Sequence, residues 1–143
     1  MRRGTLVVVD LDPTHGHEQR GVCPSIVVSD PDVSTDQRFP MICVVPVTST
    51  PGSGALYPVL APGESGLTRT SYALIDQLRA ISKERVRSAH GRISATELKA
   101  IDRGLYLFLG LEPPRPLRPT RRHGDGFRSS PKLRRLAPTS SRR

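Results

Sequence analysis

Leu6-Val-Val-Val-Asp-Leu-Asp-Pro-Thr-His-Gly-His-Glu-Gln-Arg-Gly-Val-Cys-Pro-Ser-Ile-Val-Val-Ser-Asp30 reads as two β-branched strands joined by a polar loop. Thr5 to Leu11 and Ser25 to Ser29 are rich in Val and Ile, which fit a pleated surface, and the loop between them carries Asp, Pro and Gly turn chemistry. A third run, Met41 to Thr48, holds Ile42, Val44, Val45 and Val47 and closes on Pro46-Val47-Thr48-Ser49. Apolar residues fall on both faces of these runs, as in central strands of a small barrel. Tyr57 to Leu60, Ser71 to Ile75 and Leu78 to Ile81 are shorter strand candidates, and His90-Gly91-Arg92-Ile93 is the last.

Ser94-Ala-Thr-Glu97 has the spacing of a capping box, in which a hydroxyl and a carboxylate three residues apart each satisfy the other's backbone N–H. A helix is expected from there to Gly110, with Leu98, Ile101, Leu105, Phe108 and Leu109 on the packed side and Lys99, Asp102 and Arg103 facing away. Strands followed by a terminal helix predict a β-dominated α+β domain.

The chain has 143 residues, enough for one domain. Its net charge of +9 is lopsided: ten of the 22 Lys and Arg follow Leu111, against only Glu112 and Asp125. A nucleic-acid footprint needs charge on a folded surface, so the basic balance alone does not establish one. The expected division is a folded domain at 1–111 and a disordered basic tail at 112–143, because six of the 14 prolines lie in that tail and it has no apolar periodicity. That tail reads as a variable extension or as a non-specific RNA attachment. Asp10 and Asp12 break the apolar stretch behind Met1 too early for a signal peptide, and nothing approaches a membrane span. With two cysteines and no disulfide framework, a soluble cytoplasmic protein is expected.

Several short motifs occur together: Arg3-Gly4, Asp10-Leu11-Asp12-Pro13, Gly16-His17-Glu18-Gln19, Pro46-Val47-Thr48-Ser49, Ser65-Gly66-Leu67, Asp76-Gln77-Leu78-Arg79 and Gly91-Arg92-Ile93-Ser94. In this order and spacing the chain resembles the MazF/PemK family of toxin endoribonucleases from Arg3 to Leu111. The resemblance implies an SH3-like barrel with a C-terminal helix and a homodimer. It also implies metal-independent cleavage of single-stranded RNA and inhibition by a cognate antitoxin, with no cofactor, no membrane contact and DNA contact only through the antitoxin.

Cleavage of RNA without a metal uses the ribose 2′-OH as nucleophile, so the protein must accept its proton, stabilise the phosphorane and protonate the leaving 5′-oxygen. The resemblance assigns catalysis mainly to Thr48 and to a loop arginine of the pattern Gly-x-Arg-Pro, whose place Cys23 takes in Gly21-Val22-Cys23-Pro24. Arg20, three residues upstream, and His17, whose imidazole could serve as acid or base, are the candidate substitutes. His17, Glu18, Gln19, Arg20, Ser49, Gln77 and Arg79 are the expected RNA contacts.

More ordinary roles stand beside these. Thr48 and Ser49 also suit a strand end, Cys43 a small buried apolar position, and Gln77 and Arg79 a polar strand terminus. His15, His17, Glu18 and Cys23 share one loop, but a zinc site needs four well-placed ligands and no metal is expected. Asp30, Asp32 and Asp36 read as a mobile loop shaping access to the groove. Two functions remain open on the sequence, an mRNA-cleaving toxin and a catalytically degenerate relative that retains antitoxin or RNA binding.

Overall fold

Pairing of β-branched strands around one long central strand organises this chain. The structure, a computed structural model, describes residues 1–13, 15–18 and 20–111. Its strands are β1 (Thr5–Asp10), β2 (Val22–Val27), β3 (Met41–Thr48), β4 (Val59–Leu60), β5 (Ser71–Ala73), β6 (Arg79–Ser82) and β7 (Val86–Arg92). Two α-helices, α1 (Pro31–Thr35) and α2 (Ala95–Leu109), and two short 3-10 turns, Ile75–Gln77 and Lys83–Arg85, complete the described residues.

The sheet runs β4-β5-β3-β2-β1-β7, with β6 added to β3. Every recorded pairing is antiparallel. β3 carries the curl. Its first half pairs with β6 from Met41↔Ser82 to Val44↔Arg79, and its last two residues pair with β5 as Val47↔Ala73 and Thr48↔Tyr72. On its other edge it pairs with β2 from Val27↔Val44 to Ser25↔Pro46. The result is the expected β-dominated α+β fold, a curled antiparallel sheet forming a half-barrel with a C-terminal helix.

Because the strands are apolar on both faces, two cores form. Leu6, Ile26, Val45, Val47 and Ala73 pack on the side covered by α2, where Ile101 is fully buried. Val7, Val9, Cys23, Val27, Val44 and Ile81 fill the opposite, inner side of the curl. Each such side chain contributes about 1.5–3 kcal/mol by leaving water. Cys43 is half-buried against the first core.

The capping box at Ser94 is present: Glu97 N–H donates to Ser94 Oγ at 3.1 Å and Ser94 N–H to Glu97 Oε1 at 2.9 Å. Glu97 Oε2 also accepts from Ala61 N–H at 2.6 Å, so the helix start holds the end of β4. The helix ends at Gly110 in the left-handed conformation, φ 70°, which suits glycine there. Gly104 is needed for a close approach, since a Cβ would come within 2.7 Å of the Ala55 carbonyl oxygen.

The expected helix faces need correction. Asp102 is paired with Arg3, Nη2 to Oδ1 2.6 Å, while Arg3 Nε also donates to the Val28 carbonyl at 2.9 Å. It therefore ties the chain start to α2 rather than facing away. Phe108 and Leu109, expected in the packed stripe, are exposed together with Leu107 and Leu111. The Asp30-to-Asp36 segment is not a plain loop: Asp30 caps Asp32 N–H at 2.8 Å, Pro31 sets the first turn, and α1 follows. The strand expected at Ser71 to Ile75 stops at Ala73 and turns into the 3-10 segment. The last strand is longer than expected, beginning at Val86. The expected tail at 112–143 lies outside the described residues. Among the described residues no helix is long and apolar enough to cross a membrane.

Candidate functional site

Two prolines shape the region where the loop and the third strand meet. The β2–β3 ladder ends at Ser25↔Pro46, and beyond it Pro24 and Pro46 lack N–H groups to continue it. Pro46 turns its carbonyl to β5 instead, accepting from Leu74 N–H at 2.8 Å. The register carried two residues past the last recorded pair sets Cys23 opposite Thr48 at the parted end. Residues two apart on a strand share a face, so Cys23 and Thr48 lie on the inner side with Ser25 and Pro46.

Thr48 is half-buried, and its Oγ1 accepts from Thr50 N–H at 3.2 Å. That bond occupies a lone pair and leaves the hydroxyl proton to donate outward. Ser49 is exposed in the bend that follows. Cys23 is 7% exposed among Val9, Val27 and Ile42. Burial pushes its thiol pKa up, while the Ser25 hydroxyl and the Arg79 guanidinium draw it back down. Ser25 Oγ is itself fully buried without a hydrogen bond of ordinary geometry.

Arg79 reaches this group from β6. It is the cross-strand partner of Val44, on the inner face, and its side chain extends along the sheet to the Leu11 carbonyl, which Nη1 meets at 3.4 Å. Among the described residues no carboxylate lies within ion-pair distance of it. Arg79 is thus a half-buried guanidinium with no carboxylate partner among the described residues, near enough to Cys23 to act on its thiol.

The β1–β2 loop is tied at both ends. Leu11 N–H donates to the Gly21 carbonyl at 2.9 Å, and Asp12 Oδ1 accepts from Gly21 N–H at 3.0 Å. Asp10 sits between Arg87, at 2.8 Å, and its own turn, and the Arg87 hydrogen bond holds its carboxyl below the usual range. Arg85 donates to the carbonyls of Asp10 and Asp12. Gln77 Nε2 donates to the His17 carbonyl at 3.1 Å, linking the loop tip to the turn before β6.

The remaining sequence candidates have distinct surroundings. The His17 side chain is exposed, and Glu18 Oε1 accepts from His15 N–H at 2.8 Å, which folds the loop on itself. Arg20 is exposed and its Nη2 donates to the Gly16 carbonyl of its own loop at 3.3 Å. Gln19 lies outside the described residues. Among the described residues no three His, Cys, Asp or Glu side chains gather closely enough to hold a metal ion.

Sequence reading passes over a cleft on the other side of Thr48. It has a volume of about 510 Å³ and is lined by Thr48, Ser53, Tyr57, Tyr72 and Leu74. Tyr57 Oη donates to Asp76 Oδ2 at 2.7 Å. The signal was the scarcity of aromatics, with three tyrosines in the chain and two of them here.

Comparison with known proteins agrees with this fold. Residues 2–109 match the family described as PemK-like, MazF-like toxin of type II toxin-antitoxin system. The chain is 40% identical over 117 residues to Endoribonuclease MazF9 of Mycobacterium tuberculosis (strain ATCC 25618 / H37Rv), an overlap of 78% of this chain and 98% of that one. It is similar to the crystal structure of MazF (Form-I) from Deinococcus radiodurans, with a TM-score of 0.63, 26% identity, and coverage of 78% and 97% of the two chains. The MazE-MazF crystal structure (Form-II) from the same organism gives a TM-score of 0.62 at 25% identity, covering 78% and 97%.

Proposed function

This chain belongs to the PemK-like, MazF-like toxins of type II toxin–antitoxin systems, and from that premise we propose that it is an endoribonuclease cutting single-stranded mRNA at a short sequence. The observation that carries the reading is the placement of Thr48, Cys23 and Arg79 on one sheet face, with no carboxylate within ion-pair distance of the Arg79 guanidinium among the described residues.

The chemistry follows from those groups. The 2′-oxygen loses its proton and bonds phosphorus, the P–O5′ bond breaks, and the 5′-oxygen leaves with a proton, giving a 2′,3′-cyclic phosphate and a 5′-OH. Negative charge grows on the phosphoryl oxygens in between. Arg79 offers a permanent, planar fork of donors to them, and Thr48 donates one further hydrogen bond. Cys23 takes the family arginine's place and leaves this task open, because a buried neutral thiol is a weak donor. Arg79 takes on part of it from β6, across the inner face. His17, Glu18, Gln19 and Arg20 of the loop, with Ser49 and Gln77, are the further RNA contacts of this reading.

The MazE-MazF likeness supports a cognate antitoxin as partner, and the exposed Leu107, Phe108, Leu109 and Leu111 at the end of α2 supply apolar surface for an antitoxin or a second copy in a homodimer. The working compartment in this reading is the cytoplasm. The test is cleavage of a single-stranded RNA in the presence of a chelator, with cyclic-phosphate ends as readout. Thr48→Ala and Arg79→Met each lower the rate by ~10²–10³, the scale of one transition-state donor. A wild type that leaves the RNA intact under conditions where it is folded overturns the reading in favour of a degenerate, binding-only relative.

A further inference from the structure

We infer that the cleft between Tyr72 and Tyr57 is a nucleobase subsite, which holds the base adjoining the phosphate bound at Thr48 and so sets part of the cleavage sequence. This rests on the endoribonuclease reading above and assigns the specificity of the same site.

The argument begins with register. Thr48 and Tyr72 are directly paired across β3 and β5, so their side chains leave the same face of the sheet a few ångströms apart. A phosphate held by the Thr48 hydroxyl therefore has the Tyr72 ring within the length of a ribose. Val59 is the next residue in the row, paired with Tyr72 from the far side, and gives the ring an apolar neighbour.

The cleft also has the chemistry of a base site. Its volume of about 510 Å³ is ample for a base with its ribose. Two phenol rings and Leu74 provide flat apolar surface, and Thr50 and Ser53, which line the same cleft, carry hydroxyls able to hydrogen-bond the edge of a base. A base gains stacking energy on such a ring whatever its identity, and the hydroxyls add the discrimination.

Finally, one wall is fixed in advance. Tyr57 is anchored at its hydroxyl by Asp76, and Gly52 presses on the other end, where a Cβ would stand only 3.0 Å from Tyr57 Cβ. A ring fixed in this way loses little freedom on binding. Asp76 adjoins Gln77, whose amide meets the loop tip at His17, so cleft and loop are joined through one turn.

The experiment maps the cleavage position from RNA ends, then steps 2-aminopurine along a single-stranded RNA that is made uncleavable by one 2′-deoxy residue at that position. Stacking on tyrosine quenches the probe. With the wild-type protein, quenching is expected at one position beside the scissile phosphate. Tyr72→Phe keeps it. Tyr72→Leu, which preserves bulk but not the flat π face, loses it and weakens RNA binding roughly 5- to 100-fold. It also broadens the cleavage sequence. If Tyr72→Leu binds with wild-type affinity, quenches alike and cuts the same sequence, the subsite is overturned while the nuclease reading stands, and the cleft is left to a protein side chain. If neither protein binds or cuts RNA, both readings fall together.

Discussion

Burial raises the pKa of the Cys23 thiol and Arg79 offsets part of that rise, although the two residues are 56 positions apart and on strands that do not pair with each other. The guanidinium arrives along the inner face from its place opposite Val44, and its end lies by the Leu11 carbonyl, next to the point where the loop rejoins β2. In the proposed reading this cation meets the phosphate held at Thr48.

The same relationship predicts thiol reactivity. Burial is the largest influence on Cys23 and favours the neutral thiol, while Arg79 favours the thiolate. Removing the cation in Arg79→Met therefore raises the thiol pKa further, and iodoacetamide alkylation of Cys23 at pH 8 slows relative to wild type. Mass spectrometry separates Cys23 from Cys43, which serves as the internal control. Equal rates at Cys23 in both proteins would mean that the guanidinium does not face the thiol.

Cys23→Arg tests the substituted cation directly. A second guanidinium beside Arg79 raises cleavage of single-stranded RNA by at least ~10² when the site lacks a full complement of phosphate donors. It also lowers stability, because the position is 7% exposed and the new charge meets a like charge. Both effects are read on one sample, as cyclic-phosphate formation and as thermal midpoint. An unchanged rate in a folded variant would assign the whole phosphate task to Arg79.

Local features of this fold were legible in the sequence, and non-local ones were not. Met41 to Thr48 has the same bounds as strand and as sequence run, and Ser94 with Glu97 marks the helix start. Both signals lie within a few residues. Asp30-Pro31 was ambiguous, because an Asp followed by Pro begins turns and helices alike, and here a helix formed. The exposed end of α2 escaped because periodicity gives the direction of a face but not how far the sheet beneath it extends. In the candidate site, Thr48 and Cys23 could be named from motifs. Arg79 was named from a motif too, as an RNA contact, but its reach to the Leu11 carbonyl, like the pairing of Tyr72 with Thr48 over 24 residues, comes from strand register, which no local pattern encodes.

Gly91 is fixed by space alone. A Cβ there would stand 1.8 Å from the Glu64 carbonyl oxygen, and that atom is backbone, so neither side can yield by a rotamer change. Gly91 N–H also donates to Ser65 O at 3.0 Å, which holds the 62–66 turn against β7. Gly91→Ala is therefore expected to cost about 3 kcal/mol by overpacking, visible as a lower urea midpoint with an unchanged slope. A loss under about 0.5 kcal/mol, the scale of an ordinary surface change, would show that the turn separates freely from the strand.

Alkaline titration probes the wall of the cleft. The hydrogen bond to Asp76, followed by the repulsion of its charge, raises the Tyr57 pKa above the usual 10.0. The folded protein therefore binds this proton more tightly than the unfolded chain, and the associated stability is present below the unfolded pKa and lost as pH rises through the folded one. In absorbance at 295 nm, Tyr57 is expected to give a late step, which Tyr57→Phe removes. Asp76→Asn removes the charge and brings that step back toward the ordinary range, and it frees the ring that forms one side of the proposed base site. If Tyr72 is the stacking surface and Tyr57 the fixed wall, the same variant loosens cleavage-sequence preference while Arg79 and Thr48 keep the rate near that of the wild type. Retention of the late step in Asp76→Asn would show that something other than this hydrogen bond holds Tyr57 protonated, and the pre-formed wall would lose its cause.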